Sequence, residues 1–287
     1  MEAADAPNSS SSMNADGSAN VGGSASSGND AGSTKVPKNA KSSVAFAAAV
    51  EQNTKLRFDL NWTFGGKSQR GWHLYVPLIR QFLNTDSGPE SRDFSQALAG
   101  WQKSAGLSPT GVLDQKTWMT MVSVFQSRRI KDRIAPTSEQ LTLVPASEFY
   151  DSERPESLRY VHSKAYAAYK KLAAAATAEL ALNPDSSEKW LTIISAYRSP
   201  AYQAQLRKRN PKSGRAGLAL NSPHSTGRAL DLHVGGEPVS TNDRNRAIQV
   251  NTKVYQWLVK NAERFGFYPY FYEPWHWEYR PRRPAER

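Results

Sequence analysis

Two short segments far apart in the chain carry most of its chemistry, and the fold has to bring them together. The first is Asn221-Ser222-Pro223-His224-Ser225-Thr226-Gly227-Arg228-Ala229-Leu230-Asp231, and the second is Glu273-Pro274-Trp275-His276. Gly227 lets the backbone turn sharply after His224, because only glycine takes positive φ at little cost. Ala229 to Val234 alternates with period two and reads as a strand, with Asp231 and His233 on one face and Leu230, Leu232 and Val234 on the other. Pro274 keeps Glu273 out of the helical region, so the second segment is an extended turn leading into a last strand, Trp275 to Tyr279. Glu273 and His276 can then approach one ion from adjacent directions.

His224, Asp231 and His276 supply three ligands of the kind a zinc ion takes. Three protein ligands plus a water is the catalytic arrangement, whereas four protein ligands close a site. Two imidazoles and one carboxylate favour zinc, one ion per chain, over calcium or magnesium, which want mostly oxygen. Glu273 is then a spare carboxylate beside a ligand, suited to take a proton from water. His233 competes with His276 as a ligand, since it shares the strand face of Asp231. Glu278 competes with Glu273 as the base, since it lies two residues past His276. Taken singly, each of these residues is an ordinary histidine or carboxylate; the joint pattern points to a metal.

At these residues the sequence resembles a known family. Ser222-x-His224-x-x-Gly227-x-Ala229-x-Asp231, followed by Glu273-x-Trp275-His276, is similar to the signature of VanY-type D-alanyl-D-alanine carboxypeptidases, zinc peptidases grouped with lysostaphin-type enzymes and the hedgehog domain. Ser195-Ala196-Tyr197-Arg198-Ser199, with Gln203 after it, matches the family's upstream segment, and the resemblance spans roughly residues 155 to 280. The resemblance implies His224, Asp231 and His276 as zinc ligands, which favours His276 over His233. It implies Glu273 as catalytic base and Arg198 as the group that stabilises the developing oxyanion. It marks Ser222, Gln203, Tyr197, Ser199 and Trp275 as substrate contacts. The substrates it implies are peptidoglycan stem peptides ending in D-alanyl-D-alanine.

The chain of 287 residues is long enough for two modest domains and a tail. It contains no cysteine, which excludes disulfides, thiolate metal sites and cysteine nucleophiles. Its net charge of +11 suits a polyanionic partner such as an acidic wall, anionic lipid or nucleic acid, or simply solubility with a basic tail at Arg280, Arg282, Arg283 and Arg287. No run of apolar residues is long enough to span a bilayer, and the first thirty residues lack the apolar centre of a secretory signal. The family's substrate nonetheless implies work outside the cytoplasm, in the periplasm or wall, with the export signal not visible in this chain.

Residues 1–42 are Ser, Asn, Gly, Ala and Asp with little to bury, and read as a disordered tail. Residues 43–129 read as a small all-α domain of three helices. Leu74, Leu78, Phe82 and Leu83 mark the first; Asp93 caps the second, with Phe94, Leu98 and Trp101 inward; Asp114 caps the third, with Trp118, Met121, Val122 and Phe125 inward. The run from Phe94 through Gly106-Leu107-x-Pro109-Thr110-Gly111 to Thr117-Trp118 resembles the three-helix peptidoglycan-binding domain of wall hydrolases. Trp101 and Trp118 are expected in its core. Residues 130–155 read as a linker in which Leu141 to Val144 can add a strand.

Residues 156–287 read as the peptidase domain, an α+β fold in which helices flank a small mixed or antiparallel sheet. A helix from Glu156 to Leu182, carrying His162 as a structural histidine, leads into a buried strand at Trp190 to Ser195 and a short helix, Ala201 to Arg209. A basic loop, 210–220, then covers the site, and a later helix, Asn251 to Arg264, ends at Gly266. The expected protein is a monomeric zinc D,D-carboxypeptidase of the cell wall. An endopeptidase with the same site and a non-catalytic wall-binding zinc protein are the alternatives. A nucleic-acid binder is disfavoured, because no recognised motif accompanies the positive charge.

Overall fold

The computed structural model describes residues 38–183, 187–209 and 222–281, with side chains from residue 46. The tail up to residue 37, the basic loop 210–220, Asn221 and Arg282, Arg283 and Arg287 lie outside the described residues. Those that are described belong to one compact unit, Lys38–Arg287.

The helical part is larger than three helices. Helix α1, Lys38–Asp59, begins inside the stretch expected to be a disordered tail, before the expected boundary at Ser43. A hairpin follows, β1 Asn61–Phe64 and β2 Lys67–Arg70, which the helical expectation missed. Its turn is Gly65-Gly66, both with positive φ, as a two-residue hairpin turn requires. Trp62 and Phe64 are the strand's inward residues; with only four residues a side, the period-two signal was too short to stand out.

Helices α2 (Val76–Leu83), α3 (Arg92–Ser104) and α4 (Gln115–Ser127) occupy the three expected places. Pro77 lies in the first turn of α2. Asp114 caps α4 by accepting Thr117 N–H at 2.8 Å. The cap of α3 is Ser91 rather than Asp93: its hydroxyl accepts Phe94 N–H at 3.1 Å, and Asp93 stands in the first turn, where a carboxylate suits the helix dipole. Trp118 is fully buried and Trp101 packs against Phe82.

The Gly-Leu-x-Pro-Thr-Gly run is held from inside. The Gln102 carbonyl accepts Gly111 N–H at 2.8 Å, while its amide donates to the Val112 carbonyl and the Thr110 and Thr117 hydroxyls. Asn53 of α1 donates to the Gly111 carbonyl and accepts Leu113 N–H, both at 2.8 Å. Gly111 has φ 71°, and a Cβ there would lie 2.7 Å from the Ser95 carbonyl oxygen. Of the residues that make this motif unusual, Gly111 and Thr117 are interior, whereas Gly106, Pro109, Thr110 and Asp114 are exposed.

The remainder is α+β. Strands β3 (Leu141–Leu143) and β4 (Tyr160–His162) pair antiparallel, and helix α5 runs Ser163–Glu179. The single helix expected from Glu156 is thus replaced by a short 3-10 turn, a strand and a later helix. Val161 takes a partner in β3, and His162 is the N-cap, its Nδ1 accepting Lys164 N–H at 3.3 Å. Ala165, Tyr169, Leu172 and Ala176 form the buried stripe of α5.

Next come β5 (Ile193–Ser195), α6 (Pro200–Arg209), β6 (Ala229–Leu232), α7 (Asp243–Val250), α8 (Lys253–Asn261), β7 (Phe267–Pro269) and β8 (His276–Tyr279). These four strands form one antiparallel sheet in the order β5-β6-β8-β7. All of β6 is buried, so both faces of the strand that carries Asp231 are covered. Phe271, between β7 and β8, packs its ring against Trp62, Phe64, Tyr75, Trp118 and Phe125 of the helical part. The two parts share one apolar core.

Candidate metal centre

Sheet register assembles the site. Asp231 on β6 is the direct partner of His276 on β8 and, on its other side, of Ser195 on β5. Opposed residues on neighbouring strands hold their Cβ atoms about 5 Å apart, so the two ligands need no special loop to meet. His224 arrives from the short 3-10 turn Pro223–Thr226, which Ser222 caps through its hydroxyl and Gly227 ends with φ 65°. A Cβ at Gly227 would lie 3.0 Å from His162 N, so both conformation and space call for glycine.

The ligating atoms of His224, Asp231 and His276 all lie within 4.8 Å of one another, and all three residues are buried. His224 Nδ1 lies 2.7 Å from the Ala196 carbonyl and donates to it, so Nε2 carries the lone pair and faces Asp231 Oδ1 at 3.2 Å. Burial, with Arg198 nearby, pushes the His224 imidazole down to about 4, so it stays neutral. His276 is arranged the other way round. Its Nδ1 faces Asp231 Oδ1 at 2.8 Å, and its Nε2 donates to Glu278 Oε1 at 3.3 Å. Burial alone would lower this imidazole, but hydrogen bonds to the two carboxylates outweigh it and push it up to about 9.

Asp231 receives Arg198 on its second oxygen, Nη2 to Oδ2 at 2.7 Å. Burial would raise this carboxyl, yet the two imidazoles and the guanidinium hold it well below the usual range. The donor set fits a divalent ion: one neutral imidazole with its lone pair turned inward, one permanently ionised carboxylate, and one imidazole whose inward nitrogen now carries a proton that a metal would replace. Each histidine donates its outward N–H to a fixed acceptor, as metal-bound histidines do.

Glu273 is buried in the turn before β8, and burial pushes its carboxyl up to about 7. His233 does not join the group. The strand ends at Leu232, and the His233 ring packs between Tyr150 and Trp190. Glu278 is at the site, but as the acceptor of His276 rather than a second base facing water; its other partners, Arg129 and Ile130 N–H, help hold it down to about 2 against the effect of burial.

The residues marked as substrate contacts all take part in hydrogen bonds with the backbone. Ser222 accepts His224 N–H at 3.4 Å. Tyr197 donates its backbone N–H to Tyr160. Ser199 caps α6, accepting Tyr202 N–H at 3.2 Å, and Gln203 is buried on that helix. Trp275 is buried, and its carbonyl accepts Leu232 N–H, extending the β6–β8 ladder. Sequence reasoning missed Arg129, Ile130 and the Ala196 carbonyl. The first two lie about 150 residues from Glu278 in the chain, with no local pattern to mark them.

Residues 158–282 match the family of VanY, D-alanyl-D-alanine carboxypeptidase. This segment is a VanY-family domain. It contains His224, Asp231 and His276 together with Glu273 and Arg198, whereas Arg129 and Ile130 precede it. Among solved structures, the LdcB LD-carboxypeptidase, described as revealing the molecular basis of peptidoglycan recognition, is similar at 26% identity over 51% of this chain and 69% of its own, with a TM-score of 0.37. No curated protein matches the chain. Among the described residues, no helix is long and apolar enough to cross a membrane.

Proposed function

We propose that this protein is a zinc-dependent D,D-carboxypeptidase that removes the terminal D-alanine from peptidoglycan stem peptides outside the cytoplasm. One observation carries the proposal: within the VanY-family segment, three buried metal-type ligands converge beside a buried carboxylate whose proton affinity is tuned to neutral pH. His224, Asp231 and His276 hold the ion, which when bound polarises a carbonyl and makes water more acidic.

Glu273 takes the proton from the attacking water and passes it to the leaving amine. Burial raises this carboxyl's affinity for a proton, which suits a group that must first take one and then give it up. Arg198 fixes the second oxygen of Asp231 and brings positive charge to the edge of the group, where negative charge develops on the substrate oxygen. Ser222, Gln203, Tyr197, Ser199 and Trp275 shape the cleft for the peptide. The helical part holds the enzyme at the wall and raises its concentration near substrate. The protein acts as a monomer.

The test is digestion of a synthetic pentapeptide ending in D-Ala-D-Ala, followed by mass spectrometry. Wild type, Glu273→Ala and chelator-treated protein are run in parallel, with zinc content measured on each. Loss of one D-alanine by wild type alone, with zinc retained in the variant, is the expected result. An intact pentapeptide with cleavage only in whole peptidoglycan would replace this proposal with an endopeptidase. No cleavage of either, despite bound zinc, would remove the enzymatic function.

A further inference from the structure

The geometry points to Arg129 as a positioning residue for His276, acting through Glu278. This rests on His276 being a metal ligand, as proposed above. Arg129 follows helix α4 and lies outside the segment that matches the VanY family. Its Nε donates to Glu278 Oε1 at 2.7 Å, and its Nη2 lies 2.6 Å from the same oxygen. The next residue, Ile130, donates its backbone N–H to Oε2 at 2.5 Å. One dipeptide therefore engages both oxygens of the carboxylate that receives His276 Nε2.

A carboxylate held by an imidazole alone can swing about its own side chain. One gripped on both oxygens cannot, and it then dictates which way the imidazole faces. That matters because His276 presents Nδ1 to Asp231, which requires Nε2 to keep its proton and its acceptor. The guanidinium also lies 3.7 Å from the centre of the Tyr270 ring, and that ring stands edge-on to His276 at 5.8 Å. Further ties hold the same stretch: Arg228 pairs with Asp132, and Arg280 donates to the Arg128 carbonyl. An exposed ion pair would carry little weight. Here the Glu278 side chain is only 1% exposed and that of Arg129 19%. The helical part thus supplies part of the frame of the metal site.

The experiment uses the full chain as wild type, Arg129→Ala, Arg129→Lys and Glu278→Gln. Two quantities are measured at one fixed pH: the zinc dissociation constant by chelator competition, and the exchange rate of the His276 ring N–H in metal-free protein by nitrogen-15 NMR. Circular dichroism checks the fold of each. Losing a partner that orients a metal-bound histidine typically weakens binding about tenfold to a hundredfold. Arg129→Ala and Glu278→Gln are expected in that range, with Arg129→Lys smaller because it keeps the charge but loses the fork. Ring exchange is expected to speed up in the same order.

A folded Arg129→Ala with a dissociation constant within about twofold of wild type and unchanged ring exchange would overturn the inference. If that variant does not fold, Arg129→Lys decides by the same readouts. If wild type takes up no zinc, the metal proposal fails by itself. Ring exchange then still decides whether Arg129 orients His276: faster exchange in the variant upholds it, and equal exchange overturns it.

Discussion

Glu273 should make the metal-free protein less stable than it would be with a neutral side chain, by an amount that depends on pH in a defined way. Its carboxyl has an ordinary value of 4.5, and burial pushes it up to about 7 in the fold. The folded state therefore holds this proton more tightly than the unfolded chain does. The resulting stability is fully present below 4.5 and is lost as pH rises through about 7. At about 1.4 kcal/mol for each tenfold change in proton affinity, the loss amounts to roughly 3 kcal/mol. Glu273→Gln has no proton to lose. In the presence of a chelator, its advantage over wild type should grow from under about 1 kcal/mol at pH 5 to about 3 kcal/mol at pH 8. Urea unfolding of both proteins at the two pH values measures this, and any constant effect of the amide cancels in the difference. Zinc should narrow the gap, because a nearby dication favours the ionised carboxylate. A gap no larger at pH 8 than at pH 5 would refute the reasoning. It would mean that Glu273 is solvated or paired, and it would weaken the case for its tuning as a base.

The same electrostatics predict that zinc binding releases protons. His276 is pushed up to about 9 in the metal-free site, so between pH 6 and 8 the ion must displace its Nδ1 proton, and affinity should rise at least about tenfold per pH unit, more steeply below pH 7 where Glu273 also gives up its proton. Calorimetry in buffers of different ionisation enthalpy counts the protons, and a pH-independent affinity would contradict the assignment. Gly227→Ala should lower stability by about 1–3 kcal/mol and weaken zinc binding, since φ is 65° and the new methyl meets His162 N; thermal melts and chelator competition report the two effects. Gln102→Leu should cost about 1–3 kcal/mol by leaving the buried Gly111 N–H without its acceptor, while kcat of the folded protein is unchanged. Lost wall binding at unaltered stability would instead make Gln102 part of a ligand surface.

The site was legible where its logic is local. Gly227 announces the turn, and the alternation of Ala229 to Val234 announces the strand, which ends at Leu232; Glu273 to His276, expected to be extended, is instead a tight turn closed by His276 N–H on the Glu273 carbonyl, and the last strand begins at His276 rather than Trp275. Competing signals misled where a short element interrupts a longer pattern. The helix-forming alanine run masked β4, because Val161 fits a helical stripe as well as a strand. The hairpin at Asn61–Arg70 was too short to register beside helices of 13 residues. His233 shows the limit of periodicity: two residues from Asp231, it shares the ligand face on paper, yet the strand stops at Leu232 and the ring turns to Tyr150 and Trp190.

Glu278 exposes a different limit. Its place two residues past His276 puts it on the ligand's face of β8, and that much is readable from the chain. Whether it is a base or a brace depends on what meets it, and what meets it is Arg129 and Ile130, about 150 residues away in the chain. The two carboxylates flanking His276 are driven in opposite directions, Glu273 up to about 7 by burial and Glu278 down to about 2 by its partners. One can therefore exchange a proton at neutral pH and the other cannot. That division of roles comes from their surroundings, since the two residues are chemically the same.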